Sequence, residues 1–189
     1  RILTISGLLH DIGKIMIPNE ILTKPGKLTV AEYNIMKQHV NFGYEKVKNQ
    51  NIDIRIKEAC LPHHEKCDGT GYPFGLKSDH IPAVAKIIAI ADVYDAMTSA
   101  RVYRGALCPF EVIDTMYKDA FTKFEPEYIL PFLKNVASSY INNDVRLSDG
   151  RIGKVVLINE NALSLPIVQC EDEFIDLSKT RGLTVSAIL

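Results

Sequence analysis

The chain has no tryptophan and only four cysteines in 189 residues. Those cysteines, Cys60, Cys67, Cys108 and Cys170, form no CxxC pair and share no common spacing. Reduced thiols in a cytoplasmic protein fit this pattern better than a disulfide framework. No apolar run is long enough to cross a bilayer, so no membrane contact is expected of this segment. An excess of charge is also missing, with 22 Lys and Arg against 23 Asp and Glu. The chain is therefore neither disordered nor globally basic, and a long nucleic acid is not the expected partner. A small anionic ligand needs only a local cluster of cations and is not excluded. There is no signal peptide and no initiator Met. Arg1 to Leu9 read as a helix running straight into a motif, and the chain is expected to be a fragment of a longer protein. That parent could carry a membrane anchor of its own.

Most of the chain reads as helix. Ile2, Ile5, Leu8, Leu9 and Ile12 recur at helical spacing. Thr29 and Glu32 make a capping box that opens a helix expected to run to about Lys48. Ile52 to Leu61 reads as a shorter helix. Pro82, Pro109 and Pro126 each stand where a first turn would begin, giving helices near 82–99, 109–122 and 126–142. The 82–99 helix is expected to bury Tyr94 and Met97, and the next helix Phe110, Ile113, Met116 and Tyr117. The stretch from Pro62 to Ile81 is a polar, glycine-rich loop too long for a simple connector, and loops of that size are often functional. After Asn142 the pattern changes. Ser148-Asp149-Gly150 signals a turn. Ile152 to Ile158, Leu163 to Val168 and Phe174 to Leu177 are candidate strands. The expected fold class is mainly α. Residues 1–142 form a helical domain, and residues 143–189 form a small β-rich C-terminal appendage that carries no obvious chemistry.

Three clusters carry chemistry. The first is His10-Asp11 followed by Ile12-Gly13-Lys14. An adjacent nitrogen and carboxylate can reach one metal, and a carboxylate can bridge two. Lys14 lies four residues after His10, on the same side of a helical turn. The second is His63-His64-Glu65 followed by Asp68-Gly69-Thr70-Gly71-Tyr72-Pro73. Its paired imidazoles can face neighbouring metal positions, and its glycines allow sharp turns and a close approach to a ligand. The third runs from Ala91 to Thr98 and ends in Arg101, Tyr103 and Arg104. Asp92 closes an apolar stretch, where a carboxylate is costly unless paired. Asp95 is three residues on and shares its helix face. Glu65 is expected to hydrogen-bond a ligating histidine, and Asp68 to cap or brace the glycine loop. Cys67 is expected to be inert, and His80, Lys24, Lys27 and Lys86 to be surface residues.

Taken together and in this order, the motifs resemble those of the HD-GYP phosphodiesterases, over roughly residues 1–140. The likeness includes the segment from Ile17 to Thr29 and Lys37-Gln38-His39 ahead of Gly43. The resemblance implies an HD-type helical fold and a metal-dependent hydrolysis of cyclic di-GMP to linear pGpG, to GMP, or to both. It assigns metal ligation to His10, Asp11, His39, His63, His64 and Asp92, with Asp11 bridging two metals. It gives Lys14 the scissile phosphate and Tyr72 a place in the substrate pocket. Asp95, Arg101 and Arg104 match positions that contact guanine and phosphate. Mixed nitrogen and carboxylate ligands suit iron or manganese, and zinc is not excluded by ligand type. The metal count stays open between two and three, because members of the family usually carry a further His, and sometimes a Glu, upstream of the HD pair. No residue before His10 fills either place. Two alternatives remain open. One is a phosphodiesterase for another cyclic dinucleotide. The other is a catalytically impaired module that binds a cyclic dinucleotide or a protein such as a GGDEF-type domain. A homodimer is also left open.

Overall fold

The computed structural model describes residues 1–100 and 105–189. By packing it divides into two compact units. The first holds Arg1–Val93 and Thr122–Glu125, and the second holds Tyr94–Ala100, Ala106–Phe121 and Pro126–Leu189.

The first unit is helical. It contains α1 (Ile2–Leu9), a 3₁₀ segment (Ile12–Met16), α2 (Asn19–Leu22), α3 (Val30–Met36), α4 (His39–Val47), α5 (Ile54–Cys60) and the start of α6 (Ala83–Thr98). Its core is built from Ile17, Val40, Val47, Ile56, Ala59 and Ile90, all buried. The capping box forms as expected: Glu32 N–H donates to Thr29 Oγ1 at 3.3 Å and Thr29 N–H donates to Glu32 Oε2 at 2.7 Å. The helix it opens is shorter than its apolar pattern suggests. It ends at Met36, tightens through Lys37 and Gln38, and restarts at His39. The physical reason lies at the break, where the Met36 carbonyl accepts from Nδ1 of His39 at 2.7 Å. The break therefore orients a histidine that a continuous helix would carry differently.

The 3₁₀ segment lies hard against α4. A Cβ on Gly13 would stand 1.9 Å from the His39 carbonyl oxygen and 2.4 Å from the Gly43 nitrogen. Both are backbone atoms, so only glycine allows this approach. The contact holds the HD motif on the N-terminal turn of α4.

The second unit holds α7 (Pro109–Asp119), α8 (Pro126–Ser139) and a five-stranded antiparallel sheet. The strands are β1 (Asp144–Leu147), β2 (Ile152–Leu157), β3 (Ile167–Cys170), β4 (Glu173–Asp176) and β5 (Val185–Ile188), in the spatial order β4-β3-β2-β1-β5. Val145, Leu147, Val155, Val168, Ile175 and Val185 alternate onto one buried face, as a one-sided sheet requires. β5 packs on α7. Two of these strands, β1 and β5, were not expected. The expected strand from Leu163 is displaced to Ile167, because Pro166 has no N–H to give a ladder and the strand starts after it. Phe110, Ile113 and Met116 are core residues, but Tyr117 is 44% exposed and packs edge-on against Phe121. Tyr94 and Met97 are half-buried. Tyr94 Oη lies 3.0 Å from Tyr140 Oη. Among the described residues no helix is long and apolar enough to cross a membrane.

Substituting Gly13→Ala should cost about 3 kcal/mol in urea unfolding, because two backbone segments must separate to admit a methyl group. A loss below about 0.5 kcal/mol would show that the two segments are not held at this distance.

Candidate metal centre

Three histidines are set up in the same way. Nδ1 of His10 donates to the Gly7 carbonyl at 2.7 Å, Nδ1 of His39 to Met36 at 2.7 Å, and Nδ1 of His63 to Cys60 at 2.9 Å. Each partner is the carbonyl three residues back, at the end of a helical turn. A carbonyl oxygen requires the proton on Nδ1, so each ring turns Nε2 inward. The inward nitrogens converge on Asp11. His10 Nε2 lies 3.3 Å from Asp11 Oδ2, and His39 and His63 Nε2 lie 3.3 and 3.8 Å from Oδ1. His10 Nε2 is also 3.7 Å from Asp92 Oδ1, and His64 Nδ1 is 3.9 Å from Asp92 Oδ2. Lys14 Nζ donates to Asp11 Oδ2.

Two overlapping donor groups result. Asp11, His39, His63 and His64 form one, and His10, Asp11 and Asp92 form the other, with all donor atoms of a group within 4.8 Å of one another. Asp11 belongs to both, which is the placement of a bridging carboxylate. The donors fit divalent cations. His39 and His63 face each other Nε2 to Nε2 at 3.4 Å. Among the described residues, Asp11 Oδ1 and His10 Nε2 are buried without a hydrogen-bond partner. Inward-facing lone pairs and an unpaired carboxylate oxygen are what a cation would satisfy.

Electrostatics favour the ligating form at three of the four histidines, whereas His10 holds a proton that a cation would displace. Burial, followed by the charge of His64, pushes the His63 imidazole down to about 3. Burial, with His39, takes His64 down to about 4, and burial also lowers His39. Neutral imidazoles are the ligating form. For His10, burial opposes protonation, but the carboxylates of Asp11 and Asp92 outweigh it and raise the ring to about 10. Burial works to raise Asp11, yet His10 and Lys14 hold its carboxyl well below the usual carboxylate range. Asp92 is likewise lowered, with His10 overcoming burial.

The long loop closes over this cluster through Glu65. That residue is 4% exposed, and its carboxylate accepts from the amides of Phe74, Gly75 and Leu76 at 2.7, 3.1 and 2.9 Å. The expected bond from Glu65 to a ligating histidine is not made. The carboxylate turns instead to three successive amides that have no other partner among the described residues, while the adjacent His63 is satisfied by the Cys60 carbonyl. Gly71 packs on the same post: a Cβ there would lie 2.4 Å from Glu65 Cα and 2.6 Å from the His64 carbonyl oxygen. Tyr72 N–H donates to that carbonyl at 3.2 Å, and the Tyr72 ring stacks on His64 at 4.7 Å. Burial raises the Tyr72 phenol, so it stays neutral. Asp68 braces the loop as expected, accepting from the Thr70 amide and hydroxyl at 2.9 and 2.7 Å.

Other expectations fall out unevenly. Asp95, one turn beyond Asp92 on α6, belongs to the second unit, is exposed, and accepts from Ser99 Oγ at 3.4 Å. Arg101 and Arg104 lie outside the described residues. His80 is exposed beside Asp79. Lys86 is not a surface lysine: only 13% of its side chain is accessible, and it bridges Glu125 at 2.7 Å and Ser78 Oγ at 2.8 Å. Lys24 pairs with Glu32 at 2.7 Å. Burial raises Cys67, in keeping with an inert thiol.

Helical fold, paired histidines and shared aspartate together define a metal-binding helical domain. A family model described as HD domain matches residues 1–128. The chain belongs to the HD domain family. A relative described as a cyclic di-GMP phosphodiesterase, from Pseudomonas aeruginosa, is 39% identical over 166 residues, covering 87% of this chain and 40% of that protein. Relatives in Vibrio cholerae and Thermotoga maritima carry the same description. One described as a 3'3'-cGAMP-specific phosphodiesterase, from Vibrio cholerae, is 40% identical over 124 residues, covering 64% of this chain and 24% of that protein. Among solved structures, an HDG"Y"P protein from Bdellovibrio bacteriovorus aligns with a TM-score of 0.55 at 23% identity, covering 68% of this chain and 40% of that one. That likeness is one of fold. The chain thus spans less than half the length of these relatives.

Two outcomes test the site. Glu65→Ala should destabilise the protein by about 3 kcal/mol, because three amides lose a charged acceptor. Hydrogen exchange should quicken first at Phe74, Gly75 and Leu76; unchanged protection there would remove Glu65 from this role. The second outcome concerns pH. His63 and His64 titrate below their ordinary 6.5 in the fold, so the unfolded chain takes up more protons as pH drops. After chelation, stability should therefore fall between about pH 6.5 and 4. The contribution of His10 has the opposite sign: it is fully present below 6.5 and is lost only as pH rises through about 10. A flat urea midpoint across the acid window would contradict the buried neutral state of the pair.

Proposed function

We propose that this chain carries the hydrolytic centre of a cyclic di-GMP phosphodiesterase, converting the cyclic dinucleotide to linear pGpG, to GMP, or to both. The observation that carries the proposal is Asp11, a carboxylate shared by two donor groups and facing four other side chains at once. Its support is the name shared by relatives at about this identity. The catalytic part is residues 1–142, and residues 143–189 form the appendage.

His10, Asp11, His39, His63, His64 and Asp92 would hold two divalent metals, iron or manganese by ligand type, with Asp11 between them. Metals held there would supply Lewis acidity and a source of nucleophile at neutral pH. The remaining chemistry is the chain's own. Lys14 is bonded to Asp11 and 38% accessible, so its ammonium can shift to an incoming phosphoryl oxygen and offset charge as it grows there. Tyr72, neutral and stacked on His64, offers its ring edge to a base. Glu65 holds the loop so that the ring stays over the cluster. Asp95, Arg101 and Arg104 would contact guanine and phosphate, as the family resemblance implies. A second reading, hydrolysis of a mixed guanine–adenine cyclic dinucleotide, is favoured by the Vibrio cholerae relative named for that substrate.

The test is metal content together with product analysis, with manganese or iron(II) supplied anaerobically. Wild-type protein should release linear dinucleotide or GMP. Asp11→Ala should lose bound metal and lower turnover by at least about 100-fold, since it removes the group common to both donor sets. Metal-loaded protein that binds cyclic di-GMP tightly and releases no product would make it a receptor.

A further inference from the structure

Beside the metal cluster, α3 carries two side chains that none of these roles uses. Tyr33 lies on α3 and Lys37 is its C-terminal cap residue, four positions on, so both face the same side. The Tyr33 ring meets the Tyr72 ring edge-to-face, with centroids 6.4 Å apart and planes at 80°. Lys37 Nζ stands 5.3 Å from the centre of the Tyr33 ring and 5.9 Å from that of Tyr72. Tyr72 in turn stacks on His64 at 4.7 Å. A track of rings therefore leads from the candidate ligand His64 through Tyr72 to Tyr33, with one ammonium over its outer two rings.

Two features set this track apart from core packing. Tyr33 is 47% exposed, so its ring is poorly used as core. Among the described residues Lys37 Nζ has the two rings and no carboxylate as partners, so its charge is not neutralised by an ion pair. Of the other lysines, Lys24 is committed to Glu32, and Lys14 serves the phosphate at the metal centre. An exposed ring next to an uncompensated cation suits a base followed by a phosphate.

We propose that Tyr33 and Lys37 form a purine–phosphate subsite, in which a purine of the substrate stacks on Tyr33 and its phosphodiester faces Lys37. The inference rests on the cyclic dinucleotide reading above. Such a substrate carries two bases and two phosphates. While one phosphate is engaged at the metal centre and Lys14, the other half-molecule needs its own ring and its own cation. The track supplies both, in ring-sized steps away from the cluster. Stacking does not distinguish purines. The subsite therefore sets affinity for a dinucleotide and leaves the choice between guanine and adenine to other groups.

The test uses the whole chain loaded with manganese and two substrates, cyclic di-GMP and bis(p-nitrophenyl) phosphate, a diester with no purine. Tyr33→Ala should lower the ratio of the two kcat/KM values about tenfold, mainly through KM for cyclic di-GMP. Tyr33→Phe, which keeps the ring, should restore the ratio to within about twofold. Lys37→Gln should lower the same ratio and flatten its dependence on salt. A parallel loss on both substrates would make Tyr33 a structural prop, and an unchanged KM would remove the subsite. Should wild-type protein hydrolyse neither diester, the enzymatic reading fails. Calorimetry with cyclic di-GMP then decides the subsite on its own. A Kd about tenfold weaker in Tyr33→Ala upholds it. Equal affinity in the two proteins, or no binding by wild type, overturns it.

Discussion

A single carboxylate organises this molecule. Asp11 sits just past the end of α1, and the Nε2 atoms of His10, His39 and His63 reach it from α1, α4 and α5. The ammonium of Lys14 arrives from the turn that follows. So many groups can converge only because the 3₁₀ segment touches α4 backbone to backbone at Gly13. The close approach and the charge cluster are one constraint seen from two sides. Moving the segment outward by a methyl group would draw Asp11 away from His39.

The histidines show how a fold prepares ligands without a metal being part of the packing. A helix leaves its last carbonyls unpaired. At three helix ends here, that unpaired carbonyl takes the outer nitrogen of an imidazole and so turns the inner nitrogen toward Asp11. One device meets two needs, since the helix end gains a donor and the ring gains an orientation. Burial then keeps His39, His63 and His64 neutral, ready to coordinate without first releasing a proton.

Much of this was legible in the amino-acid order. The capping box at Thr29 and Glu32, the helix starts near Pro82, Pro109 and Pro126, and His10, Lys14 and His63 around Asp11 stand out as local patterns, whereas His39 enters only through the family resemblance. Features that depend on distant partners do not. Nothing near Lys37 breaks the apolar period, so the interruption between α3 and α4 had no visible cause; it arises from a side-chain bond by His39. Glu65 beside two histidines has the local appearance of a helper to a ligand, whereas its partners lie nine to eleven residues ahead. Lys86 reads as a surface lysine until Glu125, far along the chain, is placed next to it. Pro166 was the one local signal for the displaced start of β3.

Glu65 anchors the loop to amides alone, with no help from the ions that the neighbouring histidines are arranged to receive. The loop and the imidazoles it covers therefore have largely separate anchors, meeting where Tyr72 stacks on His64. Descendants of such a domain can drift apart along that seam. One lineage can shed an imidazole, fall silent as a catalyst, and still present an intact surface to the same messenger. Another can reshape the loop for a new messenger while its ion-binding histidines stay as they are.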